Sequence, residues 1–150
     1  MIGLGEWYAV SQTDPRAVAL YQRHYSARKG NRTSGIAGAG ETLTLLTVAA
    51  DALWVWRTEH WLGEGEHTFI GRPDSLACGV FRNESRTLSS ELVKEADALA
   101  DARWPSRDRH YTWVDPASIR STNPGACFKY AGWKDTGMRS NKGLVLLARE

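Results

Sequence analysis

The sequence has 150 residues, 42% of them hydrophobic and 24% charged, which places it among ordinary globular chains and excludes the disordered and fibrous classes; one domain spanning residues 1–150 is the expectation. Subtracting 17 acidic residues from 19 basic ones leaves +2, too little for the whole molecule to act as a polycation, so attraction to an anionic partner has to be local. Seven tryptophans stand beside three phenylalanines and five tyrosines, so either the core is built from indoles or some of them stack on a flat ligand.

No apolar run approaches the roughly 18 to 20 residues that span a bilayer, and Met1-Ile2-Gly3-Leu4-Gly5-Glu6 lacks the basic-then-apolar order of a signal peptide. A cytoplasmic protein with no membrane partner is expected. Cys78 and Cys127 belong to no CxxC pair and have no second pair to complete a zinc site, a pattern of buried thiols before a disulfide.

Residues 6–12 alternate loosely as a first strand. Thr13-Asp14-Pro15 then offers a cap and an N-terminal proline for a helix from about Pro15 to Ala27, with Val18, Tyr21, Gln22 and Tyr25 at helical spacing. Arg16, Arg23, Arg28, Lys29 and Arg32 give residues 16–40 five bases and no acid, a local charge that the net value conceals. Gly30 to Gly40 holds four glycines in eleven residues and reads as a loop; it is no Walker motif, because no Gly-Lys-Ser/Thr opens a helix after it.

Thr42–Val48 and Ala52–Arg57 are β-rich runs joined by Ala49-Ala50-Asp51, which predicts a tight antiparallel pair with Trp54 and Trp56 on one face. A polar connection over residues 62–74 leads to Leu76–Phe81, an apolar run suited to a buried central strand. From Leu88 the pattern is helical, with Ser89 or Ser90 as cap and Leu92, Val93, Ala96, Leu99 and Ala100 as the apolar stripe, ending at Trp104-Pro105. His110–Asp115 alternates as a strand stopped by Pro116, a short helix falls around Gly125 to Tyr130, and Gly143–Ala148 is a last strand.

The order β, α, β, β, β, α, β, α, β, with Asn123-Pro124-Gly125-Ala126-Cys127-Phe128-Lys129-Tyr130-Ala131-Gly132-Trp133 after the fifth strand, resembles the GNAT acyltransferases. The resemblance implies an α/β (α+β) fold whose mixed, mostly antiparallel, V-shaped sheet is flanked by helices. Within that group the chain looks closest to phage proteins of the Mom-like type, which modify adenine in DNA. That likeness rests on Arg23-His24-Tyr25-Ser26, on Phe81-Arg82-Asn83-Glu84-Ser85 with Ser89-Ser90, and on Asn123 to Trp133.

Two features depart from a typical acetyl-CoA enzyme. Such an enzyme follows its fourth strand with a glycine-rich turn whose N–H groups grip the pyrophosphate at a helix N-terminus, whereas Arg82 to Leu88 contains no glycine. The position of the acid tyrosine is taken by Phe128, which has no proton to give. Tyr130 is a nearby hydroxyl, but on a helix it points about 200° away from Phe128.

Polar groups at a strand's carboxyl end lie where open α/β sheets place ligands. Arg82 or Arg86 could clamp a phosphate there while Ser85, Ser89 and Ser90 donate hydrogen bonds; the alternative is a solvated loop with a serine cap. His24, between Arg23 and Tyr25, is a candidate general base and the only candidate metal ligand, against the alternative of a structural histidine. Asp115 either handles an amine proton or turns the chain. Bases from Arg103 to Lys142 interleave with aromatics, as binding an unstacked base requires; Trp113 and Trp133 read as core, and Trp61 and Trp104 as the stacking candidates.

The resemblance therefore implies a phage-encoded transferase, in the host cytoplasm, that modifies an adenine amine. Its partner would be double-stranded DNA with a flipped base. His24, Asp115 and Tyr130 would be catalytic, and Arg23, Tyr25, Arg28, Arg82, Asn83, Ser85, Arg86, Ser89, Ser90 and Asn123 would bind. Acetyl-CoA or a related acyl donor, and iron, are the cofactors it admits, and a homodimer is compatible with it. The alternatives are a conventional acyl-CoA N-acetyltransferase on a small amine or protein, and a non-catalytic GNAT-like binding module.

Overall fold

The two runs that alternate most cleanly do pair as a hairpin. In the computed structural model, which describes residues 5–24, 40–58, 72–118 and 125–149, β2 (Thr42–Thr47) and β3 (Ala52–Arg57) are antiparallel. Their turn is held by Thr47, whose Oγ accepts the Asp51 and Ala52 amides at 3.0 Å and donates to Asp51 Oδ1 at 2.6 Å. Around this hairpin are β1 (Trp7–Val10), α1 (Pro15–Gln22), β4 (Ser75–Asn83), α2 (Ser89–Arg103), β5 (Arg109–Val114), a 3-10 turn at Pro116–Ser118, α3 (Ala126–Tyr130), β6 (Lys134–Arg139) and β7 (Val145–Arg149).

The seven strands form one sheet in the order β1-β2-β3-β4-β5-β7-β6. Only β4 and β5 run parallel, with α2 as their crossover, so the sheet is mixed and mostly antiparallel, as the resemblance implied.

Alternation in β3 divides its side chains between the two faces of the sheet. Trp54 and Trp56 face α2 and α3, in a core shared with Trp7, Leu76, Cys78, Leu92, Phe128 and Trp133. Leu53 and Val55 face α1 and pack with Ala17, Leu20, Tyr21, Leu46 and Val80.

Asp14 caps α1 by accepting the Arg16 amide at 2.9 Å, with Pro15 as first residue. The helix stops at Gln22, short of the predicted Ala27, and its buried face is Ala17, Leu20 and Tyr21 rather than the 18, 21, 22, 25 row. At α2 the cap is Leu88, with no side-chain bond, and Ser89 and Ser90 are the first two helical residues. The buried stripe of α2 also contains Asp97, which hydrophobic spacing had passed over.

Three indole N–H groups tie the sheet layer to α2. Trp7 Nε1 donates to Leu92 O at 2.9 Å, Trp56 Nε1 to Ala96 O at 3.0 Å, and Trp133 Nε1 to Asp97 Oδ2 at 2.8 Å. The other oxygen of Asp97 meets His110 Nδ1 at 2.6 Å, and His110 is fully buried on β5. Glu95 completes the attachment by accepting the backbone amides of Glu6 and Trp7 at 2.9 and 2.8 Å.

β6 has no apolar period and was not predicted. It is an edge strand paired only with β7, exposed along its length except at Met138, with its register broken between Asp135 and Arg139. Both cysteines are free, Cys78 buried and Cys127 half-buried. Among the described residues no helix is long and apolar enough to cross a membrane.

Asp97 is a buried carboxylate satisfied by two side-chain donors, one from β5 and one from the segment after α3. Asp97→Ala leaves both donors without an acceptor, and its unfolding free energy from urea titration is expected to fall by about 3 kcal/mol or more.

Candidate active site

β4 and β5 pair only at Ser75 with Arg109, Leu76 with His110 and Ala77 with Tyr111, although β4 runs on to Asn83 and β5 to Val114. Where the backbones part, Thr112 Oγ1 donates to the Cys78 carbonyl at 3.0 Å. Gly79 sits at a bulge in β4, because Val55 pairs with Val80 while Trp56 pairs with Cys78. The parting opens a cleft of about 230 Å³ lined by His24, Arg57, Ala77, Gly79, Tyr111, Trp113, Asp115 and Leu144, among others. A Cβ built on Gly79 would meet nothing within 4 Å.

His24 arrives in this cleft because α1 ends early. The Arg23 and His24 amides close the last turn onto Leu20 O and Tyr21 O at 3.1 and 2.8 Å. Arg23 then forms a two-point pair with Glu84, at 2.7 and 2.9 Å. Arg82 binds the same carboxylate at 3.0 Å and donates to the Arg23 carbonyl at 2.9 Å. This clasp fixes the end of α1 against the end of β4, with His24 immediately beyond it.

The environment decides the state of both ionisable groups. Burial pushes the His24 imidazole down to about 4, helped by the Arg82 charge and opposed by a hydrogen bond to the Phe81 backbone. The ring is neutral at pH 7, with one nitrogen bonded to the backbone and the other carrying the lone pair. The Arg23 hydrogen bonds, with those of Arg82, push the Glu84 carboxyl down to about 2. Asp115 also lines the cleft, and its Oδ1 accepts the Ala117 amide at 3.0 Å, so it turns the chain as well as lining the cleft.

The turn after β4 is organised by Asn83. Its Oδ1 accepts from the Ser85 amide at 2.9 Å and from the Ser85 hydroxyl at 2.5 Å, while its Nδ2 donates to Thr87 O and to Ser89 Oγ, both at 2.9 Å. Ser85 Oγ in turn accepts the Thr87 amide at 3.2 Å. Asn83 and Ser85 therefore build the turn itself, Ser90 lies half-buried in the first turn of α2, and Arg86 is exposed.

Of the predicted site residues, the cleft brings together His24 and Asp115. Arg23 and Arg82, assigned to a phosphate, are committed to Glu84 instead. Tyr130 is 77% exposed and lines neither the cleft nor the turn, because the helical rotation that buries Phe128 turns Tyr130 outward. Trp104 is 7% exposed, and its N–H is bonded to Glu41 at 3.1 Å, so it is not a stacking platform. Trp113, read as core, is half-buried and lines the cleft. Tyr25, Arg28, Trp61 and Asn123 lie outside the described residues.

Sequence reasoning missed Arg57, Gly79, Tyr111 and Leu144. Alternation along β5 does put Tyr111, Trp113 and Asp115 on one face, and that signal was available; nothing local marks Arg57 or Leu144.

A metal needs a donor set that is not assembled here: among the described residues no three His, Cys, Asp or Glu side chains come together. An acyl donor fits in part. An extended, amide-bearing thioester arm suits the gap between strands that have stopped pairing. A diphosphate does not suit the turn before α2, where the amides of Ser85 and Thr87 are already bonded to side chains.

No family model and no curated protein matches the chain. Solved structures do. The aminoglycoside acetyltransferase AAC(6')-Ib in complex with coenzyme A matches with a TM-score of 0.62 and 15% identity, over 96% of this chain and 93% of that one. The same protein with coenzyme A and kanamycin matches with a TM-score of 0.57 and 14% identity, over the same shares of each chain. The fold is thus GNAT-like, whereas the Mom-like resemblance is not shown. The expected partner, double-stranded DNA with a flipped base, is overturned: the structures that share the fold are complexes with coenzyme A and aminoglycosides. Three of the guanidiniums meant for its phosphates are also bound to carboxylates, Arg23 and Arg82 to Glu84 and Arg103 to Glu41, while Arg86 is exposed.

His24 supplies a direct test of this geometry. Between pH 6.5 and 4 the unfolded chain takes up a proton that the folded chain does not. Stability from His24 is therefore complete above pH 6.5 and is lost as the pH falls toward 4, by about 3 kcal/mol in all. NMR titration is expected to place the imidazole midpoint near 4, and His24→Gln to remove that part of the pH slope.

Proposed function

We propose that the chain is an N-acyltransferase that moves an acyl group from an acyl-CoA thioester to a small primary amine in the cleft between β4 and β5. The observation that carries this reading is the parting of two parallel strands beneath a neutral histidine, in a fold shared with acetyltransferase structures. The size and lining of the cleft favour a small acceptor with an apolar body, held between Tyr111, Trp113 and Leu144.

The thioester supplies an activated acyl group and a thiol leaving group. The Asp115 carboxylate attracts the amine as its ammonium form and orients it after it has lost its first proton to solvent. As the amine nitrogen bonds to the acyl carbon and the carbon–sulfur bond breaks, His24 accepts the second proton on its lone-pair nitrogen and returns it to the departing sulfur. A base held near 4 is weak, but its conjugate acid is strong, which suits the return step. His24 thereby takes on the proton work that Phe128 cannot do. Arg23, Arg82 and Glu84 act through it, as positioning residues.

The test is incubation with acetyl-CoA and 2-phenylethylamine, following thiol release and the N-acetyl product by mass spectrometry. Turnover is expected in the wild type; absence of thiol release across a panel of small primary amines overturns the reading. His24→Ala should lower kcat by about 100-fold. Gly79→Leu fills the open space over the cleft and should lower kcat/KM more than about tenfold with the urea midpoint unchanged.

A further inference from the structure

The first turn of a long helix that follows a strand's carboxyl end offers amide N–H groups to an anion, and a nucleotide diphosphate is the usual occupant of such a place. In this chain the turn that leads into that helix is bonded from within. Asn83 Oδ1 accepts the Ser85 amide, Ser85 Oγ accepts the Thr87 amide, and the Asn83 amide group is anchored on Thr87 O and Ser89 Oγ. These side-chain oxygens occupy two turn amides that a phosphate would otherwise be offered.

The charge around the turn has the same consequence. The hollow beside it, about 540 Å³, is lined by the carboxylates of Glu6, Asp51 and Glu84 against one guanidinium, Arg86. Glu84 stays ionised and occupies Arg23 and Arg82, two of the cations that could have offset a diphosphate, which leaves Arg86 alone against three carboxylates. Glu6 Oε1 also accepts from the Thr87 hydroxyl at 3.2 Å. A diphosphate entering here would displace side chains from their amides and meet carboxylates of its own sign.

We infer that the Asn83–Ser85 turn excludes a nucleotide diphosphate, so that this chain recognises its acyl donor by the thioester-bearing arm and gains nothing from the nucleotide end. The inference rests on the acyltransferase reading for the identity of the donor. It names Asn83, Ser85 and Glu84 as the residues that set donor specificity, by blocking rather than by binding.

Calorimetry on the full chain separates the possibilities, using coenzyme A, pantetheine and ADP as probes. Coenzyme A and pantetheine are expected to bind within about tenfold of each other, with millimolar ADP leaving coenzyme A binding unchanged. Coenzyme A binding more than about 100-fold tighter than pantetheine, or displaced by ADP, overturns this inference and leaves the acyltransferase reading standing. Binding of neither coenzyme A nor pantetheine overturns both. Ser85→Gly releases the Thr87 amide and should raise the coenzyme A to pantetheine preference several-fold; an unchanged ratio in a folded variant counts against the block.

Discussion

The buried carboxylate of Asp97 is the contact on which the rest of the molecule is assembled. It lies on α2, yet its two oxygens are bound by His110 from β5 and by Trp133 from the segment after α3. A carboxylate so deeply buried is tolerable only when its oxygens are bonded, and here the bonds come from two elements distant in sequence. The indoles of Trp7 and Trp56 and the Glu95 carboxylate attach the same helix to β1 and β3. With α2 fixed across one face of the sheet, from β1 and β3 to β5, the crossover from β4 to β5 is set, and so is the place where those two strands must part.

That parting converts a packing arrangement into a chemical one. β4 is bonded to β3 along its other edge and β5 to β7, so neither can follow the other once their own pairing ends at Ala77 and Tyr111. The gap is then furnished from elsewhere: His24 from the end of α1, Asp115 from the end of β5 and Leu144 from the approach to β7. The clasp of Arg23, Arg82 and Glu84 adds little stability of its own, since exposed ion pairs contribute about 0 to 1 kcal/mol each. Its effect is positional, because it joins the two chain ends that flank the histidine.

The tryptophan excess and the small net charge acquire structural meanings. Trp54, Trp56 and Trp133 are core, Trp7 and Trp104 are buried with their N–H groups bonded, and Trp113 turns a face to the cleft. Several of the arginines read from the sequence as local positive charge are balanced by acids: Arg16 by Asp14, Arg23 by Glu84, Arg103 by Glu41 and Arg139 by Asp135. A chain of near-zero net charge can pair its charges internally, and this one does so across elements.

What the sequence alone determined is the periodic part: the β2–β3 hairpin, the buried central strand, the apolar stripe of α2, the proline-led start of α1 and the GNAT-like order of elements. Those features depend on local alternation and on residues within a few positions of each other, which is the range that spacing reports. It also determined the absence of a tyrosine where Phe128 stands and of glycine between Arg82 and Leu88. Tertiary structure decided the rest. The polar edge strand β6 exists because β7 offers it an unpaired edge, Asp97 is buried because two distant donors reach it, and Arg23 serves Glu84 because the ends of α1 and β4 meet. His24 was visible as a residue, but its neutrality, its backbone bond and its place in one cleft with Asp115 follow from where α1 stops and where β4 and β5 separate. These are long-range contacts, and no local pattern encodes the partner at the far end.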